Sequence, residues 1–217
     1  MNLEQKDIAG MRMAYEMGQL NEGDLAEDPL VQFQQWFNEA VDKGVMEPNA
    51  MTLSTVSASG KPSSRIVLLK QVDRLGLGFY TNYTSRKGTE LAATPHAALL
   101  FFWPELQRQV RVEGKVEKLP AEAADAYFRS RPKGSRLGAL VSPQSREIAN
   151  REELDGQLHV LEENYRDTDD IPRPEHWGGY LLLPEQIEFW QGRNNRLHDR
   201  LVYKKENEVW RIARLAP

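Results

Sequence analysis

Between residues 50 and 118 the chain spells five short strands with tight turns and no long helical crossover, and this limits the fold more than any other feature. MTLSTVS alternates, ASGKP turns, and SRIVLLKQV runs on as a mostly apolar strand. DRLG turns into LGFYTNY, and HAALLFFW and RQVRVEGKVEKL lie on either side of Pro104. Parallel neighbours need a crossover of about a dozen residues or more, so the pattern predicts an antiparallel barrel or sandwich. Gly76-Leu77-Gly78 lacks the third glycine of a dinucleotide fingerprint and runs into a strand, not a helix.

Helical patterns flank this block. The first forty-odd residues read as two helices, the second with Asp28 as N-cap, Pro29 at the first position, and Leu30, Phe33, Trp36, Phe37, Ala40 and Val41 on one face. AEAADAYFRS reads as a helix that stops at Arg131, because Pro132 disfavours helical geometry before it. Another helix is expected from Ser142-Pro143 with Ser142 as cap, and NREELDGQLHVLEENY as a polar surface helix. GGYLLLPEQIEFWQG, RLHDRLVYKK and VWRIARLAP return to strands, the last two joined at Glu206-Asn207. The expected architecture is one α+β domain over residues 1–217: helices in 1–45, then a β-barrel with inserted helices over 46–217.

Composition excludes several classes. With no cysteine there are no disulfides, thiolate metal sites or cysteine nucleophiles. His96, His159, His176 and His198 show no metal-ligand spacing. A net charge of −4 argues against a general nucleic-acid or anionic-membrane surface. MNLEQKDIAG lacks the features of a signal peptide, and the longest apolar run, AALLFFW, is far too short for a membrane span. A cytoplasmic protein is the expectation.

Against that acidic whole, the cations are locally clustered. Arg65 and Lys70 bracket IVLL, and a separation of five puts them on opposite faces of a strand unless a bulge intervenes. Arg86-Lys87 follow Ser85, which can cap a short helix whose N–H groups face an anion; taken alone, the pair reads more simply as solvated turn charges. Tyr127 and Arg131 share a helix face with Ser135 just beyond, either a phosphate pocket or simple surface packing. RSRPKGSR as a nucleic-acid contact is the minor option. Near the end, RLHDR read as a strand places Arg196, His198 and Arg200 on one face and Leu197, Asp199 and Leu201 on the other. Three such groups side by side call for an anionic or electron-rich ligand. A flavin suits them, since nearby positive charge stabilises its reduced form.

RIVLLK, FYTNYTSRK, LFFWPELQRQVRVEGKVEKL, YFRSRPKGSRLGALVSPQS and WGGYLLLPEQIEFWQGRNNRLHDR together resemble the pyridoxine/pyridoxamine 5′-phosphate oxidase family, in order, from about residue 8 to the terminal RLAP. RLHDR after IEFWQG is the specific part. The resemblance implies an FMN-binding split barrel, working as a homodimer with active sites across the interface. It also implies the reaction: pyridoxine 5′-phosphate or pyridoxamine 5′-phosphate is oxidised at C4′ to pyridoxal 5′-phosphate, and O2 becomes H2O2.

By position, the resemblance gives FMN the run Arg65, Ile66, Val67, Leu68, Leu69 and Lys70, with Arg65, Arg86 and Lys87 on its phosphate. Tyr80, Thr81, Gln109, Gln144, Ser145, Trp190 and Arg200 match its other FMN contacts. Lys70, Tyr127, Arg131 and Ser135 match the substrate-phosphate pocket. Arg196, Leu197 and His198 match the segment that holds the pyridine ring, with Arg196 and His198 as the catalytic pair. The family's N-terminal Arg-Arg-Glu-Tyr, which folds over the substrate, reads Arg12-Met13-Ala14-Tyr15 here, so Arg12 and Tyr15 are the retained lid residues. Two other readings use the same pockets: a split-barrel oxidase of another reduced ring, such as a phenazine precursor, and a non-catalytic carrier of pyridoxal 5′-phosphate or FMN.

Overall fold

The computed structural model describes residue 10 and residues 13–217, so Arg12 lies outside the described residues. Among the described residues, nine strands form one antiparallel sheet: β1 (Ala50–Val56), β2 (Pro62–Leu68), β3 (Gln71–Val72), β4 (Leu77–Asn82), β5 (His96–Trp103), β6 (Arg108–Lys118), β7 (Trp177–Gln191), β8 (Asp199–Glu206) and β9 (Val209–Arg214). The order is β2-β1-β5-β6-β7-β4-β3, with β8 and β9 branching from β7.

β7 is the fork. β6 runs along one edge, while the other edge is shared: residues 177–182 pair with β4 and residues 186–191 with β8. Pro184, which has no N–H to offer a ladder, sits between the two halves, opposite a bulge at Glu113/Gly114. A Cβ on Gly114 would lie 2.0 Å from the Leu183 carbonyl oxygen, so only glycine permits this crossing of backbones. The forked, curled sheet is a split barrel.

Strand alternation fills the barrel. On β1, Met51, Leu53 and Thr55 point inward; on β5, Leu99, Phe101 and Trp103 do. They meet Val110, Val112, Ile187, Phe189, Leu201 and Tyr203. Helix α1 (Pro29–Asp42) packs against this core, its Leu30 N–H capped by Asp28 at 2.7 Å, with Phe33, Trp36 and Ala40 buried. Phe33 meets Phe101 at 5.0 Å and Trp36 meets Phe189 edge-on at 5.2 Å. Outside the barrel lie α2 (Arg86–Ala93), α3 (Ala121–Ser130), α4 (Lys133–Val141) and α5 (Arg151–Asn164). A smaller core of Phe128, Leu137, Ile171 and Trp177 joins α3 and α4 to the start of β7.

Three expectations are corrected. No helix starts at Ser142: α4 runs from Lys133 and ends there, because Ser142 precedes Pro143 and is extended. Before α1, the described residues 13–28 hold only a 3-10 turn, Glu22–Asp24, and no first helix; the part of that expectation that falls on residues 1–9, 11 and 12 lies outside the described residues. RLHDRLVYKK is a strand only from Asp199, since Asn195 and Arg196 take left-handed backbone in a 3-10 turn, Asn194–Arg196. Arg196 and His198 therefore do not follow strand alternation with Arg200.

Candidate active site

A cavity of about 610 Å³ opens beside the end of β2. Arg65, Ile66, Val67, Leu68 and Lys70 line it, with Tyr80 and Thr81 of β4, Lys87 of α2, Tyr127 of α3, and then Arg131, Ser135 and Gln144. Arg65 and Lys70 meet there because β2 stops at Leu68. The Leu69 N–H turns to the Asn49 carbonyl and that of Lys70 to the Gly78 carbonyl, at 2.8 and 2.9 Å. Tyr127, on α3, and Arg131, the extended residue that caps its C-terminal end, both reach the cavity.

Among the described residues, the walls carry Arg65, Lys70, Lys87 and Arg131 but no aspartate or glutamate. Arg65 is held from below: Nη1 donates to the Leu53 carbonyl at 3.1 Å and to Thr55 Oγ1 at 2.6 Å, and Nη2 to Ser63 Oγ at 2.5 Å. Behind them the buried Glu90 accepts from Thr55 at 2.5 Å, Ser63 at 2.6 Å and Arg86 Nε at 2.9 Å. Burial pushes the Glu90 carboxyl up, but the bonds from Ser63, Thr55 and Arg86 outweigh it and hold the pKa at about 2. The Lys87 ammonium is pushed down by burial and then by the charge of Arg65; it donates to Gln144 Oε1 at 3.0 Å, which Thr81 Oγ1 also reaches at 3.3 Å. Arg131 is lowered by burial, and its Nη1 is buried without a hydrogen-bond partner. Lys87 is buried, Arg65 and Arg131 are half-buried, and Arg131 keeps a donor without a partner; cations gathered in this way fit phosphate monoesters, so this donor set suits a phosphorylated flavin and a phosphorylated substrate.

A second cluster stands apart. Met13, Ala14, Tyr15, Arg193, Asn194, Asn195, Arg196 and His198 line a cavity of about 260 Å³. His198 Nδ1 accepts the Arg193 N–H at 3.0 Å, which leaves Nε2 to carry the proton of the neutral ring. Burial first, then the Arg196 charge, push the His198 pKa below its ordinary value, with Asp199 opposing weakly. Tyr15 stands edge-on to His198 at 5.5 Å and to Trp190 at 5.8 Å. Gly192 permits this, since a Cβ there would lie 2.5 Å from the Tyr15 ring. Asp199 faces away, holding Arg193 and Arg214 at 2.9 Å each.

Gln109, Trp190 and Arg200 are direct partners on β6, β7 and β8, a single row on the outer face of the sheet. Phe102 of β5 continues the row and is 54% exposed. One chain therefore brings the expected residues into two separate places. Leu69, Arg86 and Ser145 join neither: Leu69 is in the barrel core, Arg86 points out against Glu90, and Ser145 is an exposed left-handed turn residue. Leu197 is exposed beside the second cluster. Trp177 in the first cavity, and the carboxylates Glu90 and Glu188, carried no signal in the sequence pattern; only the strand register reveals Glu188 beside Arg111 and near Arg200.

A family model described as pyridoxamine 5′-phosphate oxidase matches residues 37–164, and one described as the pyridoxine 5′-phosphate oxidase C-terminal dimerisation region matches residues 177–217. Pyridoxine/pyridoxamine 5′-phosphate oxidase of Salinibacter ruber is 52% identical, covering 97% of this chain and 99% of that protein. The protein of that name from Cyanothece sp. is 55% identical, covering 97% and 98%. Among solved structures, PhzG from Burkholderia lata, in complex with tetrahydrophenazine-1-carboxylic acid, has a TM-score of 0.86 at 32% identity, covering 90% of this chain and 95% of that one. A pyridoxamine 5′-phosphate oxidase-related, FMN-binding protein from Nostoc punctiforme shares the fold, with a TM-score of 0.72 at 18% identity over 89% and 100% of the two chains.

Proposed function

This chain belongs to the pyridoxine/pyridoxamine 5′-phosphate oxidase family and is an oxidoreductase; from that premise we propose that it uses FMN to oxidise pyridoxine 5′-phosphate and pyridoxamine 5′-phosphate to pyridoxal 5′-phosphate. The observation that carries this reading is the first cavity: four cationic side chains, no carboxylate, and a buried Arg131 donor without a partner. Two phosphate monoesters, one on the cofactor and one on the substrate, account for that many cations in an acidic chain.

FMN, when bound, would supply the redox chemistry, a two-electron oxidation at C4′ with O2 as the final acceptor, reduced to H2O2. The protein's part is to bind and orient. Arg65 and Lys87 serve the cofactor phosphate, while Lys70, Tyr127, Arg131 and Ser135 serve that of the substrate. Arg196 and the neutral His198, whose Nε2–H is free to donate, hold the pyridine ring, and Tyr15 covers it.

Gln109, Trp190 and Arg200 lie on the outer face of the sheet, away from the cavity of their own chain. We assign them to the cavity of a second copy, so that two sites form across a homodimer interface. The dimerisation region matched at residues 177–217 includes Trp190 and Arg200, and exposed Ile66 and Phe102 on that face favour a partner there.

The likeness to PhzG favours a second reading, oxidation of a reduced phenazine-type ring. The test is substrate choice. Pyridoxine 5′-phosphate should be turned over far faster than unphosphorylated pyridoxine or a tetrahydrophenazine carboxylate. A preference for the phosphate-free ring would reverse the assignment.

A further inference from the structure

Trp177, the first residue of β7, is buried and lines the phosphate cavity. Its ring is nearly parallel to Tyr80, at 5.5 Å and 11°, and to Tyr127, at 6.1 Å and 9°. The Arg131 guanidinium lies over it, 4.7 Å from the ring centroid, and 5.6 Å from that of Phe128. The other cavity arginine is treated differently: Arg65 has the Glu90 carboxylate at 3.4 Å. Arg131 has aromatic faces and, among the described residues, no carboxylate partner.

We propose that Trp177 is a positioning residue for substrate-phosphate recognition, whose ring face keeps the Arg131 guanidinium oriented and uncommitted. This rests on the functional reading above. A carboxylate would steady a half-buried guanidinium equally well, but it would occupy the forked donors that must meet the phosphate. The face of an indole offers negative potential without a competing acceptor. The segment is anchored for the task. Arg173 Nη1 donates to the Trp177 carbonyl at 2.6 Å, and its Nε reaches Asp125 of α3 at 2.6 Å, which ties the helix that delivers Tyr127 and Arg131 to the strand that delivers the indole.

The test uses the FMN-loaded full chain and two unreactive probes, 4-deoxypyridoxine 5′-phosphate and 4-deoxypyridoxine, with binding read by calorimetry and FMN affinity by flavin fluorescence. Trp177→Leu should weaken the phosphorylated probe about tenfold, and Trp177→Phe about two- to threefold, with the phosphate-free probe and FMN unchanged. In an Arg131→Ala background neither substitution should weaken it further. Unchanged binding of the phosphorylated probe, an equal loss for both probes and FMN, or a further loss in the Arg131→Ala background would each overturn the inference. If Trp177→Leu does not fold, the Trp177→Phe and Arg131→Ala cycle decides. A wild-type chain that binds neither probe overturns the functional reading, and this inference with it; the other failures leave that reading intact.

Discussion

Glu188 grips Arg200 with both carboxylate oxygens, Oε1 at 2.7 Å from Nε and Oε2 at 3.1 Å from Nη2. Oε2 also accepts Arg111 Nη2 at 2.7 Å. Arg200 is thus neutralised and aimed from the neighbouring strand, and the repulsion suggested by RLHDR reduces to Arg196 beside His198. Because Glu188 is buried, Glu188→Ala should leave two arginines short of a partner and cost about 2–3 kcal/mol. Chemical denaturation measures this; a change below about 0.5 kcal/mol would show that the pair is dispensable.

Arg131 and Arg196 should fail differently. Loss of a charge-assisted phosphate contact costs about 1.5–3 kcal/mol, roughly ten- to a hundred-fold. Arg131→Ala should therefore raise KM with kcat nearly kept. Arg196→Ala should lower kcat as well, because ring placement belongs to the transition state. Steady-state kinetics with pyridoxine 5′-phosphate separates the two, and equal effects confined to KM would refute the division.

His198 should titrate below the ordinary imidazole value, and the sign of its neighbours follows from their charges. Removing the positive charge with Arg196→Ala should raise its pKa, and Asp199→Asn should lower it further. The depressed pKa means the neutral form is favoured in the fold, so its contribution to stability is present above pH 6.5 and lost as pH falls through the lowered value. An NMR titration of the ring resonances reads all three midpoints; a wild-type midpoint above 6.5 would contradict the geometry.

Glu90 gives the complementary acid signature. Its carboxyl falls from 4.5 to about 2 in the fold, so its stabilisation is complete above pH 4.5 and disappears as pH falls through about 2. Glu90→Gln should be less stable than the wild type at neutral pH, with the gap closing between those values and FMN held more weakly because Arg65 loses its support. A gap independent of pH would show the carboxylate to be uninvolved.

Much of this was legible in the sequence, for reasons visible in particular residues. Alternation in MTLSTVS and HAALLFFW is the direct signature of strands with one buried face, and both are strands here. Asp28-Pro29 and Arg131-Pro132 mark helix ends through backbone chemistry alone. α4 was hidden because Gly134 and Gly138 count against a helix, while the burial of Arg136 and Leu137 that favours it is tertiary. The convergence of Arg65 and Lys70 depends on where β2 stops, which is set by bonds to Asn49 and Gly78. The left-handed Arg196 has no local cue, since a non-glycine residue adopts that backbone only when its surroundings hold it there.

The two-place arrangement of the site predicts complementation. Arg131→Ala and Arg196→Ala alter opposite halves of one shared site, so a mixed dimer carries one site with both changes and one intact. Random reassociation of equal amounts of the two impaired variants, assayed at substrate concentrations well below the raised KM, should then bring activity to about a quarter of the wild-type value. No recovery after verified subunit exchange would place both halves in one chain.

The central claim is the oxidation itself, and the direct measurement is aerobic product stoichiometry. Purified protein with FMN and pyridoxine 5′-phosphate should form pyridoxal 5′-phosphate and H2O2 in equal amounts. A protein that binds FMN yet makes neither would keep the fold and contradict the substrate, moving the phenazine-type and carrier readings to the front.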